Sequence, residues 1–197
     1  SYTIDNAYKK VAKKYPFVEV AKAEVPKGVA KEAGIVYRDV EGRSLKLNIF
    51  YPTGNSKKSL SAVLLIHGGG WRTGDRSLMY PMAAQLAANG FVAVTAEYRL
   101  SLEASFPAAV HDLKTAVKWM RANANKYNID TAKIAVLGCS AGGQLAALVG
   151  TTNNKKEFDG DSENDYSSEV QAIIDIDGVL AFHHPESEEG TMAGQWL

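Results

Sequence analysis

A Gly-x-Ser-x-Gly pentapeptide spans residues 138–142 and carries Ser140 at its centre. It follows an apolar, β-rich run and precedes an apolar segment with the pattern of a helix. A sharp strand–turn–helix of this kind exposes a serine hydroxyl as a nucleophile. Glycine suits positions 138 and 142, because a Cβ at either would collide where the strand reverses into the helix. The pattern predicts Ser140 as the nucleophile of an acyl-transfer reaction.

A second element suited to this chemistry lies upstream, where residues 67–71 read HGGGW. It follows a short apolar run, residues 62–66, that is typical of a strand buried on both faces. Three consecutive glycines leave main-chain N–H groups uncovered, and such donors stabilise the negative charge that develops on oxygen during acyl transfer. A phosphate-binding loop is the alternative, but the Gly-Lys-Ser/Thr that it requires does not follow. The stretch therefore predicts an oxyanion-binding loop.

Together the two motifs resemble the α/β-hydrolase superfamily, and more narrowly its hormone-sensitive-lipase-like branch and the bacterial feruloyl and acetyl-xylan esterases. The resemblance extends from about Gly34 to Gly178. It includes residues 97–130, which read EYRLSLEASFPAAVHDLKTAVKWMRANANKYNID. Each motif alone is weak, whereas the combination is specific to this superfamily.

The resemblance implies roles for individual residues. Ser140 would be the nucleophile, and the main-chain N–H groups of Gly69, Gly70 and Ala141 would form the oxyanion hole. His67 would brace the loop rather than transfer a proton. The resemblance implies no cofactor and an extracellular or periplasmic location, although no signal segment is recognisable in this sequence.

The elements read from the sequence predict an α/β fold of the α/β-hydrolase type, with a mostly parallel central sheet and helices on both faces. Residues 1–197 are expected to form a single domain. An amphipathic segment covers residues 7–18. Predicted strands cover residues 35–40, 45–51, 62–66, 91–96, 134–137 and 170–176. Predicted helices cover residues 78–88, a long helix that opens at residues 105–107, and a helix after the pentapeptide that runs through Val149.

The remaining members of a catalytic triad are hard to find. In this fold the acid and then the histidine follow the nucleophile, and each strand–helix–strand unit takes about 30 or more residues. The 57 residues after Ser140 have room for one further strand. We therefore expect the fold to be truncated after that strand, without the acid and histidine. Chain order alone allows Asp177 as acid and His183 or His184 as base, but we favour Trp71, Asp177 and His183 as pocket-lining residues.

Composition and charge argue against several other classes of function. Apolar residues make up 46% and charged residues 22% of the chain, and the formal net charge is zero. Lysines are concentrated in residues 1–60, yet without aromatic interleaving or a recognised module, so we expect no nucleic-acid partner. No apolar run approaches the roughly 18 residues of a membrane helix, so no membrane span is expected. We expect no metal either, because the acidic run 157–169 lacks the glycine and the final glutamate of a calcium loop.

The sequence thus predicts a serine carboxylester hydrolase, and the resemblance implies acetyl or feruloyl esters of plant polysaccharides as substrates. An arylformamidase or peptidase of the same fold is an alternative within this chemistry. A binding module that kept the fold without the triad is an alternative of another class. The partner is expected to be a small-molecule or polysaccharide ester. The incomplete edge of a truncated sheet would also favour association with another chain.

Overall fold

The computed structural model describes residues 3–54, 58–159 and 164–182. The strands are β1 (Val29–Val40), β2 (Arg43–Pro52), β3 (Leu60–Ile66), β4 (Val92–Ala96), β5 (Ile129–Cys139) and β6 (Ala172–Ile176). The helices are α1 (Ile4–Ala12), α2 (Tyr80–Ala88), α3 (Ala108–Ala122), α4 (Ala124–Tyr127) and α5 (Ala141–Thr151), with 3₁₀ turns at Arg76–Met79 and Lys156–Phe158. None of the helices in these ranges has the length and apolar composition needed to cross a membrane.

The strands of the described residues form one sheet in the order β1-β2-β4-β3-β5-β6. The first two strands are an antiparallel hairpin, and β2 also pairs antiparallel with β4. From β4 through β3 and β5 to β6 every pairing is parallel. The predicted α/β architecture with a mostly parallel sheet is therefore confirmed. In such a sheet the carboxyl ends of the parallel strands meet at one edge, which is where sites form.

Alternating side chains of β3 explain why helices cover both faces of the sheet. Leu64 and Ile66 point into the larger core, with apolar side chains of α3 and α5. Val63 and Leu65 point to the opposite face, where they pack with the alanines of α2. Since both faces are covered, the strand is apolar throughout, as its continuous hydrophobic run indicates.

The main differences from the predicted elements lie at strand ends. β1 begins at Val29, six residues before the predicted start. The first part of the strand was not predicted because the register shifts near Gly34, which adopts a positive φ. Such a bulge interrupts the apolar alternation from which the strand was predicted.

The amphipathic segment predicted over residues 7–18 is helical only as far as Ala12. A proline at position 16 disfavours helical geometry in the residue before it.

At the far edge of the sheet, β6 pairs with β5 on one side, and no described strand pairs with its other side. Its apolar side chains are partly exposed: Ile173, Ile174 and Ile176 each keep between 37 and 40% of their accessible surface. Main-chain groups and isoleucines at an open edge favour pairing with another strand. Association through this edge stays a prediction.

Candidate active site

Ser140 occupies the sharp turn between β5 and α5. Its backbone has φ 54° and ψ −123°, a conformation that L residues rarely adopt. The turn is held on both sides: Ser140 N–H donates to the Ile176 carbonyl at 2.9 Å, and the Ser140 carbonyl accepts from Gly143 N–H at 2.8 Å. Strain at one residue persists only where its surroundings fix it, and it is often found at functional sites.

The flanking glycines are required because main-chain segments approach closely around the turn. A Cβ added to Gly138 would lie 1.9 Å from the Gly142 carbonyl oxygen. A Cβ added to Gly142 would lie 2.3 Å from the Ile66 carbonyl oxygen at the end of β3. These distances give a physical reason for the pentapeptide, since any side chain at these positions would displace backbone.

The loop after β3 lies directly beside this turn. In the parallel pairing of β3 with β5, Ile66 is opposite Gly138, so the residues that follow each strand emerge side by side. A Cβ added to Gly68 would lie 2.7 Å from the Cys139 carbonyl oxygen and 3.3 Å from Ser140 Cβ. The structure thus brings the predicted oxyanion loop and the predicted nucleophile together.

The loop itself is a tight left-handed turn. Gly69, Gly70 and Trp71 have φ values of 125°, 60° and 58°. The Gly69 carbonyl accepts hydrogen bonds from Thr73 N–H at 3.1 Å and from Thr73 Oγ1–H at 3.0 Å. The Gly69 carbonyl therefore accepts hydrogen bonds from within the loop and stabilises its turn. The N–H groups of Gly69 and Gly70 are the predicted donors to an oxyanion.

His67, at the start of the loop, is held as a structural group. Its ring stacks on Tyr98 with centroids 4.5 Å apart and an interplanar angle of 18°. The His67 Nδ1 lies 2.8 Å from the Gly68 carbonyl oxygen, and Tyr98 Oη–H donates to the His67 carbonyl oxygen at 2.9 Å. Burial lowers the pKa of the imidazole, which favours the neutral ring. This arrangement agrees with a bracing role.

Tyr98 is fixed in turn by a buried ion pair next to it in the chain. Arg99 Nε lies 3.0 Å from Asp112 Oδ2, and Arg99 N–H donates to the same oxygen at 2.9 Å. Asp112, on α3, is fully buried and also contacts Arg38 Nη1 at 2.6 Å. A buried carboxylate with two guanidinium partners fixes backbone position strongly, so α3 anchors the segment that carries Tyr98.

Trp71 joins the loop to α5. Its indole Nε1–H donates to Gln144 Oε1 at 3.2 Å, and the ring is only 2% exposed. The same ring meets Phe182 edge to face, with centroids 5.9 Å apart. Neither Gln144 nor Tyr98 is predicted as a site residue from the sequence, because each acts through a partner on another element.

A cavity of about 800 Å³ opens over Ser140. Its lining includes Gly69, Gly70, Trp71, Ser140 and Ala141, together with Gly68 and Cys139. Predominantly apolar walls and this volume are typical of small-molecule sites. Every residue that we predicted for the nucleophile and the oxyanion hole therefore lines one cavity. Their catalytic roles stay predictions.

Of the three residues predicted to line the pocket, the structure places only one, Trp71, at the cavity and describes one other, Asp177. Trp71 lines the cavity, whereas Asp177 is exposed beyond the end of β6 and is not among the lining residues. Val179, from the same segment, reaches the cavity instead. His183 and His184 lie outside the described residues. Within the described ranges, no group of three or more His, Cys, Asp and Glu side chains is arranged to hold a metal ion.

Comparison with known proteins agrees with this geometry. A protein-family model described as BD-FAE matches residues 47–196, three quarters of the chain. The chain belongs to the BD-FAE family. This is an esterase family of the α/β-hydrolase superfamily, so the predicted superfamily is confirmed.

Relatives of this BD-FAE chain include Esterase LipC of Mycobacterium tuberculosis, which is 36% identical over 122 residues. That alignment covers 61% of the present chain and 30% of LipC. The chain therefore spans less than a third of this relative's length.

Solved structures similar to the BD-FAE chain are also esterases. Esterase 2 of Thermogutta terrifontis, phosphonylated by sarin, gives a TM-score of 0.72 at 29% identity, over 88% of this chain and 64% of that one. A truncated carbohydrate esterase from gut microbiota gives 0.66 at 29% identity, over 76% and 56% of the two chains.

Proposed function

We propose that this protein is a serine carboxylester hydrolase in which Ser140 is the nucleophile. The observation that carries the proposal is the position of Ser140, which is strained at φ 54° beside the glycine loop and lines an apolar cavity. A strained, exposed serine next to main-chain donors is the arrangement that acyl transfer needs.

In the proposed reaction, Ser140 Oγ attacks the ester carbonyl carbon and loses its proton to a base. The carbonyl oxygen becomes an oxyanion, which accepts hydrogen bonds from the N–H groups of Gly69, Gly70 and Ala141. Collapse of this intermediate breaks the bond to the alcohol, which leaves with a proton. Water then cleaves the acyl–serine ester, releasing the carboxylic acid and restoring Ser140.

The base and its carboxylate partner are not assigned by the described residues. Of the two histidines in the described ranges, His67 is stacked and buried, and His111 Nε2 contacts the Glu157 carbonyl at 3.0 Å. Neither lines the cavity at Ser140. Asp177 as acid and His183 or His184 as base remain the alternatives that chain order allows.

Esters of plant polysaccharides, with acetyl or feruloyl groups, are the proposed substrates. Resemblance to bacterial feruloyl and acetyl-xylan esterases supports this proposal, and a similar solved structure is named a carbohydrate esterase. Esterase names among the relatives favour ester hydrolysis over peptidase or arylformamidase activity.

The test uses the full-length protein and Ser140→Ala. We expect the variant to lose 4-nitrophenyl acetate hydrolysis by about 10³-fold or more, since residual catalysis comes only from the oxyanion hole and binding. Cys139→Ala is the matched control, because it changes the neighbouring residue and leaves the predicted nucleophile. Release of acetate or ferulate from acylated xylan then tests the substrate. Parent-like hydrolysis by Ser140→Ala would overturn the nucleophile assignment.

A further inference from the structure

The carboxylate of Asp175 lies next to the first turn of α5, close to the strained turn at Ser140. In the parallel pairing of β5 with β6, Asp175 is opposite Gly138, which precedes Ser140 by two residues. A Cβ added to Gly143, in the first turn of α5, would lie 2.0 Å from Asp175 Oδ1 and 3.2 Å from its Cγ. The carboxylate therefore occupies the space that any side chain at position 143 would need.

A second glycine makes room for the same carboxylate. A Cβ added to Gly178, which follows the end of β6, would lie 2.2 Å from Asp175 Oδ1 and 2.8 Å from both Cγ and Oδ2. The Cα of Gly178 is itself 3.0 Å from the Cβ position of Gly143. The side chain of Asp175 thus fills a narrow gap between α5 and the segment after β6. Because close packing of this kind transmits displacements, a change at Asp175 would reach both segments.

The two segments beside Asp175 also hold the turn at Ser140. Ile176, its neighbour on β6, accepts the hydrogen bond from Ser140 N–H at 2.9 Å, and Gly143 N–H donates to the Ser140 carbonyl at 2.8 Å. Ala141, whose N–H is a proposed oxyanion donor, lies between Ser140 and Gly143 in the chain. A shift of the first turn of α5 would therefore change the direction of the Ala141 N–H.

The charge of Asp175 acts on the residue next to the nucleophile. No ion pair among the described residues includes Asp175, and a carboxylate beside the first turn of a helix is favoured by the helix dipole. Burial, and after it the negative charge of Asp175, raises the pKa of the Cys139 thiol. This thiol therefore reports on the carboxylate independently of catalysis.

We propose that Asp175 is a positioning residue whose carboxylate keeps the first turn of α5, and with it the Ala141 N–H, in place for the oxyanion. The proposal rests on the proposed ester hydrolysis at Ser140 and adds a residue of β6 to it. Without the side chain, the gap would allow the first turn of α5 to move. Since the oxyanion forms only as the reaction proceeds, a misplaced donor lowers kcat and changes KM little.

The experiment measures kcat and KM for 4-nitrophenyl acetate in the full-length protein and two variants of Asp175. We expect Asp175→Ala to lower kcat about tenfold, less than the roughly 10²-fold cost of losing a donor outright. Asp175→Asn keeps the shape of the side chain and should restore most of kcat.

Ile173→Ala is the matched control for a lost contact between β6 and α5. Ile173 also faces α5, and its Cγ1 lies 2.3 Å from a Cβ added to Gly150. Gly150 is near the end of α5, away from the turn at Ser140. The control variant should lower the free energy of unfolding and leave kcat unchanged. An equal fall of kcat in Ile173→Ala and Asp175→Ala would overturn the positioning role.

Alkylation of Cys139 by iodoacetamide, followed by mass spectrometry across a range of pH, is the second measurement. Asp175→Asn should move the pH dependence of labelling to lower pH, because it removes a negative charge near the thiol. Parent-like kcat in Asp175→Ala, or an unchanged labelling profile in Asp175→Asn, would overturn the proposal. Parent-like hydrolysis by Ser140→Ala would instead overturn the proposed function, and the labelling result does not depend on that function.

Discussion

The ring of Tyr98 lies parallel to the ring of His67, and its hydroxyl donates to the carbonyl of the same residue. One side chain thus holds both the ring and the backbone of the first residue of the glycine loop. Since Tyr98 follows β4 and His67 follows the neighbouring strand β3, the sheet itself brings the two residues together.

The buried imidazole predicts a dependence of stability on pH. Its pKa in the folded protein is lowered from 6.5 by burial, so below about pH 6.5 the unfolded chain binds more protons than the folded one. The contribution of His67 to the free energy of unfolding is therefore complete above pH 6.5 and is lost as the pH falls. Urea unfolding at pH 7.5, 6.5 and 5.5 measures it.

His67→Phe is the variant that isolates this effect, because it keeps a ring to stack on Tyr98 and removes the titratable group. The loss of stability between pH 7.5 and 5.5 should be smaller in the variant than in the parent. Equal losses in the two proteins would show that His67 does not titrate in this way.

Gly69 is predicted to be required for catalysis. A Cβ at Gly69 would lie 2.0 Å from the Thr73 carbonyl oxygen, and its φ of 125° disfavours any side chain. Gly69→Ala should shift the loop and lower kcat by about 10²-fold, the cost of a misplaced oxyanion donor. Initial rates of the folded full-length protein measure this change.

Gly42→Ala provides a matched control for backbone strain. Gly42 has a φ of 83°, and nothing lies within 4 Å of an added Cβ. It sits in the β1–β2 turn, so its substitution should lower stability and leave kcat unchanged. If Gly69→Ala likewise changed only stability, the loop would be a turn without a catalytic role.

The hydrogen bond between Trp71 and Gln144 predicts that substitutions of the two residues have non-additive effects on the free energy of unfolding. Trp71→Phe removes the indole donor and leaves the buried Gln144 amide without that partner, which should lower the free energy of unfolding by about 1–3 kcal/mol. Gln144→Leu removes the other partner. The double variant should lose less stability than the sum of the two single variants. Additive losses in chemical denaturation would contradict the coupling.

The sequence predicted those parts of the site that depend on local backbone geometry. The turn at Ser140 and the loop at Gly69 restrict residue types within a few positions of one another, so their short motifs are informative. The pairings of Tyr98 with His67 and of Gln144 with Trp71 join residues 31 and 73 positions apart. No short pattern encodes such contacts, because they exist only once the sheet has formed.

The contribution of α1 to the cavity lining, through Ile4, Ala7, Tyr8 and Val11, could not be predicted for a similar reason. Its spacing of apolar residues shows that one face is apolar but not which surface that face meets. Likewise, the irregularity at Gly34 concealed the first half of β1. Periodicity identifies regular elements well and loses them where the register shifts.

The register of β3 against β5 separates two properties of the proposed esterase. The glycine loop and the serine turn leave adjacent, paired strands, starting opposite one another at Ile66 and Gly138. Much of the remaining cavity lining comes from α1 and from the segment around the start of α2, which are not part of that ladder. Substitutions in these parts of the lining can therefore change which molecules fit the cavity without altering the paired strands that carry the proposed nucleophile and oxyanion donors.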